Sequence, residues 1–293
     1  MNYKRLIFLI ALEIIIIIIL LKFTSIDKFS NVISRIKPIF LIIALAIFYF
    51  SFVLRALRLK FILKSLKIKI NLKYLFLNTI AGKFISLIVP ARGGDLLRIY
   101  LLKKDKKVEI KNGLSIIIVE RFLDISIILF FSILSSFFVL TKTIDWINSL
   151  FFFSILILAL FLLFLFFSLI FQEKIINLFK WKLYRKIMKI NFQVMSQIIV
   201  ISKNKYNLIV AMFLSILIWF GDVFLFFFVI LSLNYSLQFI YLVFIVFMID
   251  LVTSVPITPG SLGQTELAAI IVFSLLNIPN EISIATILLV QLI

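Results

Sequence analysis

Three stretches of this sequence hold residues whose types and spacing suit chemistry. The first is Pro90-Ala91-Arg92-Gly93-Gly94-Asp95-Leu96-Leu97-Arg98. Arg92, Asp95 and Arg98 follow one another at i+3 steps, so a helix would put them on one face. Pro90 discourages helix at Val89, and Gly93 and Gly94 permit a tight turn and the close approach of a ligand to the backbone. A helix that begins near Gly94 turns its free N–H groups and the positive end of its dipole toward that turn. This outlines an anion site, and Arg92 adds a forked donor suited to phosphate. The plainer reading is a capped loop, with Asp95 a helix-start carboxylate and Arg98 a cytoplasmic anchor. The sequence leaves both open.

The second stretch is Glu120-Arg121-Phe122-Leu123-Asp124, inside a long apolar run. Glu120 and Asp124 are four apart and share a helix face, and Arg121 reaches Asp124 at three apart. A charge at bilayer depth costs about 2.5–3.5 kcal/mol on insertion scales. Three of them in five residues must face protein or water rather than lipid. They form either the wall of a functional cavity or a structural ion-pair lock between helices. The third stretch is Pro256-Ile257-Thr258-Pro259-Gly260-Ser261-Leu262-Gly263-Gln264-Thr265-Glu266. Its Pro and Gly residues end one helix and start another, with Glu266 in the first turn of the new one. A plain interhelical turn is the alternative. Glu13, Asp222 and Asp250 are further acids in apolar runs, and Glu13 and Asp222 are candidate partners for Arg121 or Arg92. Arg55 closes an apolar run and reads as a side chain that snorkels to the interface.

The elements that must position these groups follow from composition. Of 293 residues 64% are hydrophobic, and the mean hydropathy is +1.24. A soluble domain is about half apolar. Lipid accepts the surplus, and in lipid only helices or a closed barrel satisfy the backbone. The apolar runs are continuous rather than alternating, which selects helices. The fold class is therefore all-α: a polytopic integral membrane bundle forming one domain over residues 1–293. Predicted spans cover 6–21, 39–57, 114–140, 147–171 and 206–231. The run at 282–293 is too short to cross a hydrocarbon core of about 30 Å, so a truncated last helix is expected.

The net charge of +18 does not point to nucleic acid, because Lys and Arg sit in the connectors between apolar runs. That is the pattern of topology signals and of attraction to anionic lipid head groups. The basic connectors 58–73, 98–111 and 172–205 are placed in the cytoplasm, with the N-terminus. The segments 232–238 and 277–280, without Lys or Arg, are placed outside, and so are residues 22–38 despite their four basic residues. Residues 74–102 then have both ends inside, and 239–276 both ends outside, each interrupted by Pro and Gly. Two re-entrant hairpins entering from opposite faces account for this, and matched broken segments point to an inverted repeat with a midplane site. Each half-hairpin as a separate short span is the alternative. The sequence has no Cys and no His, which removes thiol chemistry and the commonest transition-metal ligands. It also lacks a P-loop pattern. No metal and no cofactor are expected.

In this order the three stretches resemble the flippase-like membrane family typified by the transmembrane region of lysylphosphatidylglycerol synthases. That family has a P-x-R-x-G-E-x-x-R turn, an E-R-x-x-D helix and a P-x-x-x-G-x-x-E turn. This sequence supplies Pro90, Arg92, Gly94 and Arg98, then Glu120, Arg121 and Asp124, then Pro259, Gly260, Gly263 and Glu266. Asp95 stands where the family has Glu, which shortens the reach by one methylene. The resemblance implies a multi-pass protein of the cell membrane that binds and flips phospholipids or polyprenyl-linked lipids. Its head-group site is expected at Arg92, Gly93, Gly94, Asp95, Arg98, Glu120, Arg121, Asp124, Pro259, Gly260, Gly263 and Glu266. The separate soluble domain that aminoacylates lipid in bifunctional relatives is expected to be absent, as no soluble stretch is long enough. A membrane-embedded transferase on lipid-linked phosphate and a scaffold for a partner lipid-modifying enzyme are the other expectations.

Overall fold

The computed structural model describes residues 26–89, 93–139, 182–254, 261 and 263–293. Glu13, the turn 90–92 with Arg92, the predicted spans 6–21 and 147–171, and Pro256, Pro259 and Gly260 lie outside the described residues. The described residues form ten helices and no strand: α1 (Ile26–Ser34), α2 (Pro38–Ser65), α3 (Leu72–Ile88), α4 (Gly93–Lys106), α5 (Ile110–Val139), α6 (Lys182–Lys203), α7 (Lys205–Ser232), α8 (Phe239–Thr253), α9 (Gln264–Leu275) and α10 (Asn280–Leu292).

Helices α2, α5 and α7 are long and apolar enough to cross a membrane. Their 28, 30 and 28 residues give about 42–45 Å at 1.5 Å per residue, more than the hydrocarbon core needs. Pro38 opens α2, where a missing N–H costs nothing. The Asn204 side chain accepts the Asn207 N–H at 3.3 Å and caps α7. Helix α7 packs along α2 in antiparallel, and α5 packs on α8. Large apolar side chains such as Phe130, Phe137, Ile209 and Phe213 remain exposed. Lipid is the solvent that accepts such a surface. The chain is a membrane-embedded helical protein.

Two pairs of shorter helices fold back on themselves. In the first, the Tyr74 hydroxyl near the start of α3 lies 2.9 Å from Leu101 O and from Asp105 Oδ2 near the end of α4. Asn78 donates to Arg98 O at 3.2 Å, so α3 and α4 run antiparallel. Gly94 meets Gly82 where they cross, and a Cβ on Gly94 would run into Gly82 O and Ser86 Oγ. In the second pair, Gln264 at the start of α9 donates to Val252 O near the end of α8 at 2.7 Å. With 17, 14, 15 and 12 residues, these helices reach about 18–26 Å, short of the hydrocarbon thickness. Helix α8 is apolar on every side and buried from Leu242 to Ile249 among its neighbours.

The ends of the molecule sort as the connectors do. Lys37 N–H donates to Ser232 O at 2.9 Å and Asn234 donates to Arg35 O at 2.6 Å. The 22–38 and 232–238 connectors thus share one end. At the other end Leu63, Leu75, Leu102, Ile116 and Ile201 pack together beneath the basic connectors.

Three boundaries differ from the sequence reading. Helix α2 does not stop before Arg58 but runs to Ser65, because the charge that should have ended the span is neutralised inside the protein. Helix α5 starts at Ile110 rather than Leu114. The connector 172–205 contains the 22-residue helix α6. Val194 and Met195, with Ile201 one helical face along, are buried from it, and Ser115 of α5 donates to Val194 O at 3.1 Å.

Candidate polar chamber in the membrane

Three helices, α2, α4 and α5, bring six charged side chains together, and α7 adds Ser215 and Trp219. Arg58 of α2 is 2% exposed. Its Nη1 donates to Asp124 Oδ1 at 2.5 Å and to Ser215 Oγ at 2.9 Å, and its Nε lies 3.8 Å from Glu120 Oε1. Arg98 of α4 grips Glu120 with both prongs, Nη1 to Oε2 at 2.8 Å and Nη2 to Oε1 at 3.3 Å. Its Nη1 also reaches Asp95 at 3.4 Å. Arg121 of α5 lies 3.4 Å from Asp124 Oδ2 and 3.7 Å from Asp95 Oδ2. Trp219 of α7 donates to Asp124 Oδ1 at 3.1 Å.

Three guanidinium groups thus face three carboxylates, and the cluster is neutral. Burial of each charge alone would be prohibitive, whereas forked, hydrogen-bonded pairs offset much of that cost. The two glycines at the helix crossing serve this geometry. A Cβ on Gly82 would lie 2.6 Å from the Cγ and Cδ of Arg98, so the bare backbone lets the arginine stem lie across α3 and reach Glu120. The close approach at Gly94 is made by α3.

Beyond the cluster the polar region opens. A cavity of about 150 Å³ is lined by Arg121 and Asp124 of α5, Trp219 of α7, and Asp250, Thr253 and Ser254 at the end of α8. Arg121 is the most accessible cluster arginine, with 29% of its side chain exposed, and its Nε has no hydrogen-bond acceptor. Thr253 Oγ1 donates to Ile249 O at 3.0 Å and Ser254 Oγ to Leu251 O at 2.8 Å.

The six residues Asp95, Arg98, Glu120, Arg121, Asp124 and Asp250 are therefore gathered around one polar chamber. Gly93 and Gly94 start α4 beside it. Glu266 is buried, yet its carboxylate accepts the Gly263 N–H at 2.8 Å and so caps its own helix. Asp222 does not pair with Arg121. It pairs with Arg55 at 3.3 Å, because α2 and α7 run antiparallel and set those two residues side by side. Arg55 therefore points into the protein rather than snorkelling to the interface.

Arg58 is the residue that sequence reasoning missed. It was assigned to a basic connector on its charge alone. A signal was present: Ser51, Arg55 and Arg58 recur at helical spacing, as do Ser215, Trp219 and Asp222. Two polar stripes of matching period mark two helices that face each other.

Comparison with known proteins agrees with this architecture. A family model described as the lysylphosphatidylglycerol synthase TM region matches residues 8–293. The UPF0104 membrane protein MJ1595 of Methanocaldococcus jannaschii is 30% identical, over 97% of this chain and 89% of its own. The UPF0104 membrane protein MJ1078 of the same organism is 32% identical over 72% of this chain and 87% of its own. A UPF0104 membrane protein of Archaeoglobus fulgidus is 25% identical over 87% and 82%. No solved structure matches the chain. With nearly every residue covered, this chain belongs to the family of the lysylphosphatidylglycerol synthase transmembrane region.

Proposed function

We propose that this protein moves lipids with a phosphate-bearing, anionic head group between the leaflets of the cell membrane, and that the head group enters the cavity beside Arg121. One observation carries the reading: the cavity lies beside the ion-pair cluster, where residues of both short-helix pairs meet α5. Asp250, Thr253 and Ser254 of the second pair line it, and Asp95 of the first pair lies 3.7 Å from Arg121, which lines it too. The family description, with its reference to a lipid synthase, supports a lipid as cargo.

In this reading the two pairs are re-entrant hairpins that enter from opposite faces, the α3–α4 pair from the cytoplasm and the α8–α9 pair from outside. The N-terminus is cytoplasmic. Helices too short to span, and broken by Pro and Gly, support that arrangement, and it is the one expected of an inverted repeat with alternating gates. Arg121, whose side chain is partly exposed and lines the cavity, binds the phosphate. Arg98 and Glu120 hold the hairpin tip against α5. Partners beyond the lipid, including a lipid-modifying enzyme, belong to the same proposal.

The test is reconstitution into liposomes that hold fluorescent phosphatidylglycerol, with a membrane-impermeant quencher outside. The protein should expose the inner-leaflet label, and Arg121→Gln should slow exposure at least about tenfold, the loss of one charge-assisted contact. Exposure no faster than in protein-free liposomes would refute the reading.

A further inference from the structure

The charges around the chamber divide into those that are saturated and those that are not. The six-residue cluster is internally neutral, and Arg55 is matched with Asp222. Glu266 faces the N-terminus of its own helix. Among the described residues two membrane-depth charges then remain, Lys83 on α3 and Asp250 on α8. Among the described residues no ion pair or hydrogen bond reaches the Asp250 carboxylate. It interacts only across space with Asp222, Arg55, Lys83 and Asp124. Asp250 also lines the cavity, as Arg121 does. Beside it the hydroxyls of Thr253 and Ser254 spend their protons on backbone carbonyls. This wall therefore presents acceptors.

With Lys83 and Asp250 both ionised, the charges of the described residues balance. An anionic phosphodiester that enters beside Arg121 adds one negative charge to a space of low dielectric, next to a carboxylate with no cation in direct contact among the described residues. Like charges at such range cannot both persist cheaply. The remedy is protonation of Asp250, which among the described residues has neither a cation nor a hydrogen-bond donor in contact. We propose that Asp250 takes up one proton when an anionic head group binds, so that lipid movement by this protein is coupled to proton movement. This rests on the head-group reading above. The step is simple: a hydronium gives its proton to a carboxylate oxygen of Asp250, an O–H bond forms, and water leaves. When the head group departs, the proton returns to water.

Each element that packs on α8 contributes to the environment of this acid. Helix α5 faces it with Arg121 and Asp124, α7 with Asp222, and α9 with Gln264 and the capped Glu266. Arg55 and Lys83 act from α2 and α3. Of these groups, Asp124, Asp222 and Glu266 already hold a partner.

The test measures binding of dihexanoyl phosphatidylglycerol to the purified full chain in a neutral detergent, by calorimetry at several pH values and in two buffers of different ionisation enthalpy. The expected result is uptake of one proton per lipid bound, with affinity falling about tenfold per pH unit on the alkaline side. Dihexanoyl phosphatidylcholine, whose head group is neutral overall, should bind without proton uptake. Asp250→Asn mimics the protonated acid. It should bind the anionic probe at high pH as the natural protein does at low pH, with no proton taken up. Glycerophosphoglycerol, which lacks acyl chains, separates sources: proton uptake with it assigns the coupling to the phosphodiester alone, and proton uptake with the lipid only assigns it to a seated lipid. Binding of the anionic lipid with no proton uptake by the natural protein would overturn the coupling and leave the head-group reading standing. Retention of uptake in Asp250→Asn would overturn the assignment to Asp250. No binding of any probe at any pH would overturn both.

Discussion

The two sides of the polar chamber use the same residue types to opposite ends. On the α2–α4–α5 side, Arg58, Arg98, Glu120 and Asp124 are almost fully buried and each charge is answered by another. Toward α7 and α8, Arg55 of α2 and Asp222 make one partly exposed pair, and among the described residues Lys83 of α3 and Asp250 make none. The first side resembles a rivet, in which three helices are pinned by charges buried against one another. The second keeps an open carboxylate and a cavity. Charged residues at bilayer depth are commonly taken as functional. Under the proposed function, access from the cavity, more than charge as such, separates a site from a strut.

If the rivet is structural, Arg58→Met should be the most damaging change. It leaves Asp124 short of its strongest partner and Glu120 of a second cation, and broken buried pairs cost about 3–5 kcal/mol. Unfolding in mixed micelles should show a loss of that size. Adding Asp124→Asn to the same chain should recover a measurable part of it. A loss under about 1 kcal/mol would mean that water reaches the cluster and that the rivet is no rivet.

Gly94→Ala comes next. Its methyl group would strike Gly82 O and Ser86 Oγ, forcing α3 and α4 apart, and overpacking of this kind costs about 1–3 kcal/mol. Because Arg98 rides on α4, the same change should lift it from Glu120. A cross-link between cysteines placed at Tyr74 and Leu101 would report whether the open end of the pair holds while the tip spreads.

Asp222→Asn should cost less still. The Arg55–Asp222 pair is about a quarter exposed on each partner, and such pairs contribute about 1 kcal/mol or less. Stability equal to that lost with Arg58→Met would erase the distinction between the two sides. Arg121→Gln removes pairs with Asp124 and Asp95 in which the arginine is as exposed as Arg55, so its cost should also stay near about 1 kcal/mol, although it should slow transport at least about tenfold. That separation of effects sharpens the comparison most.

Much of the architecture was legible from residues alone. The Glu120-Arg121-Phe122-Leu123-Asp124 spacing predicted a single face, and Arg121 and Asp124 do meet at 3.4 Å. The i+3 step from Asp95 to Arg98 likewise gives a contact of 3.4 Å. The interruptions near residues 90 and 259 do separate pairs of helices that fold back on each other. Arg58 escaped because a rule of composition, that a span ends where a basic stretch begins, presumes lipid on every side. Asp222 was matched with the wrong arginine because spacing within one helix says nothing about which neighbour lies across from it.

The sequence alone settled what solvent this protein occupies and which elements it can form, because hydropathy and backbone hydrogen bonding act locally and leave only helices in lipid. Tertiary structure decided which charge meets which. Ion pairing between helices depends on register and antiparallel alignment, as in Arg58 with Asp124 and Arg55 with Asp222. Those are set by the packing of whole helices, a property that no short stretch of residues encodes.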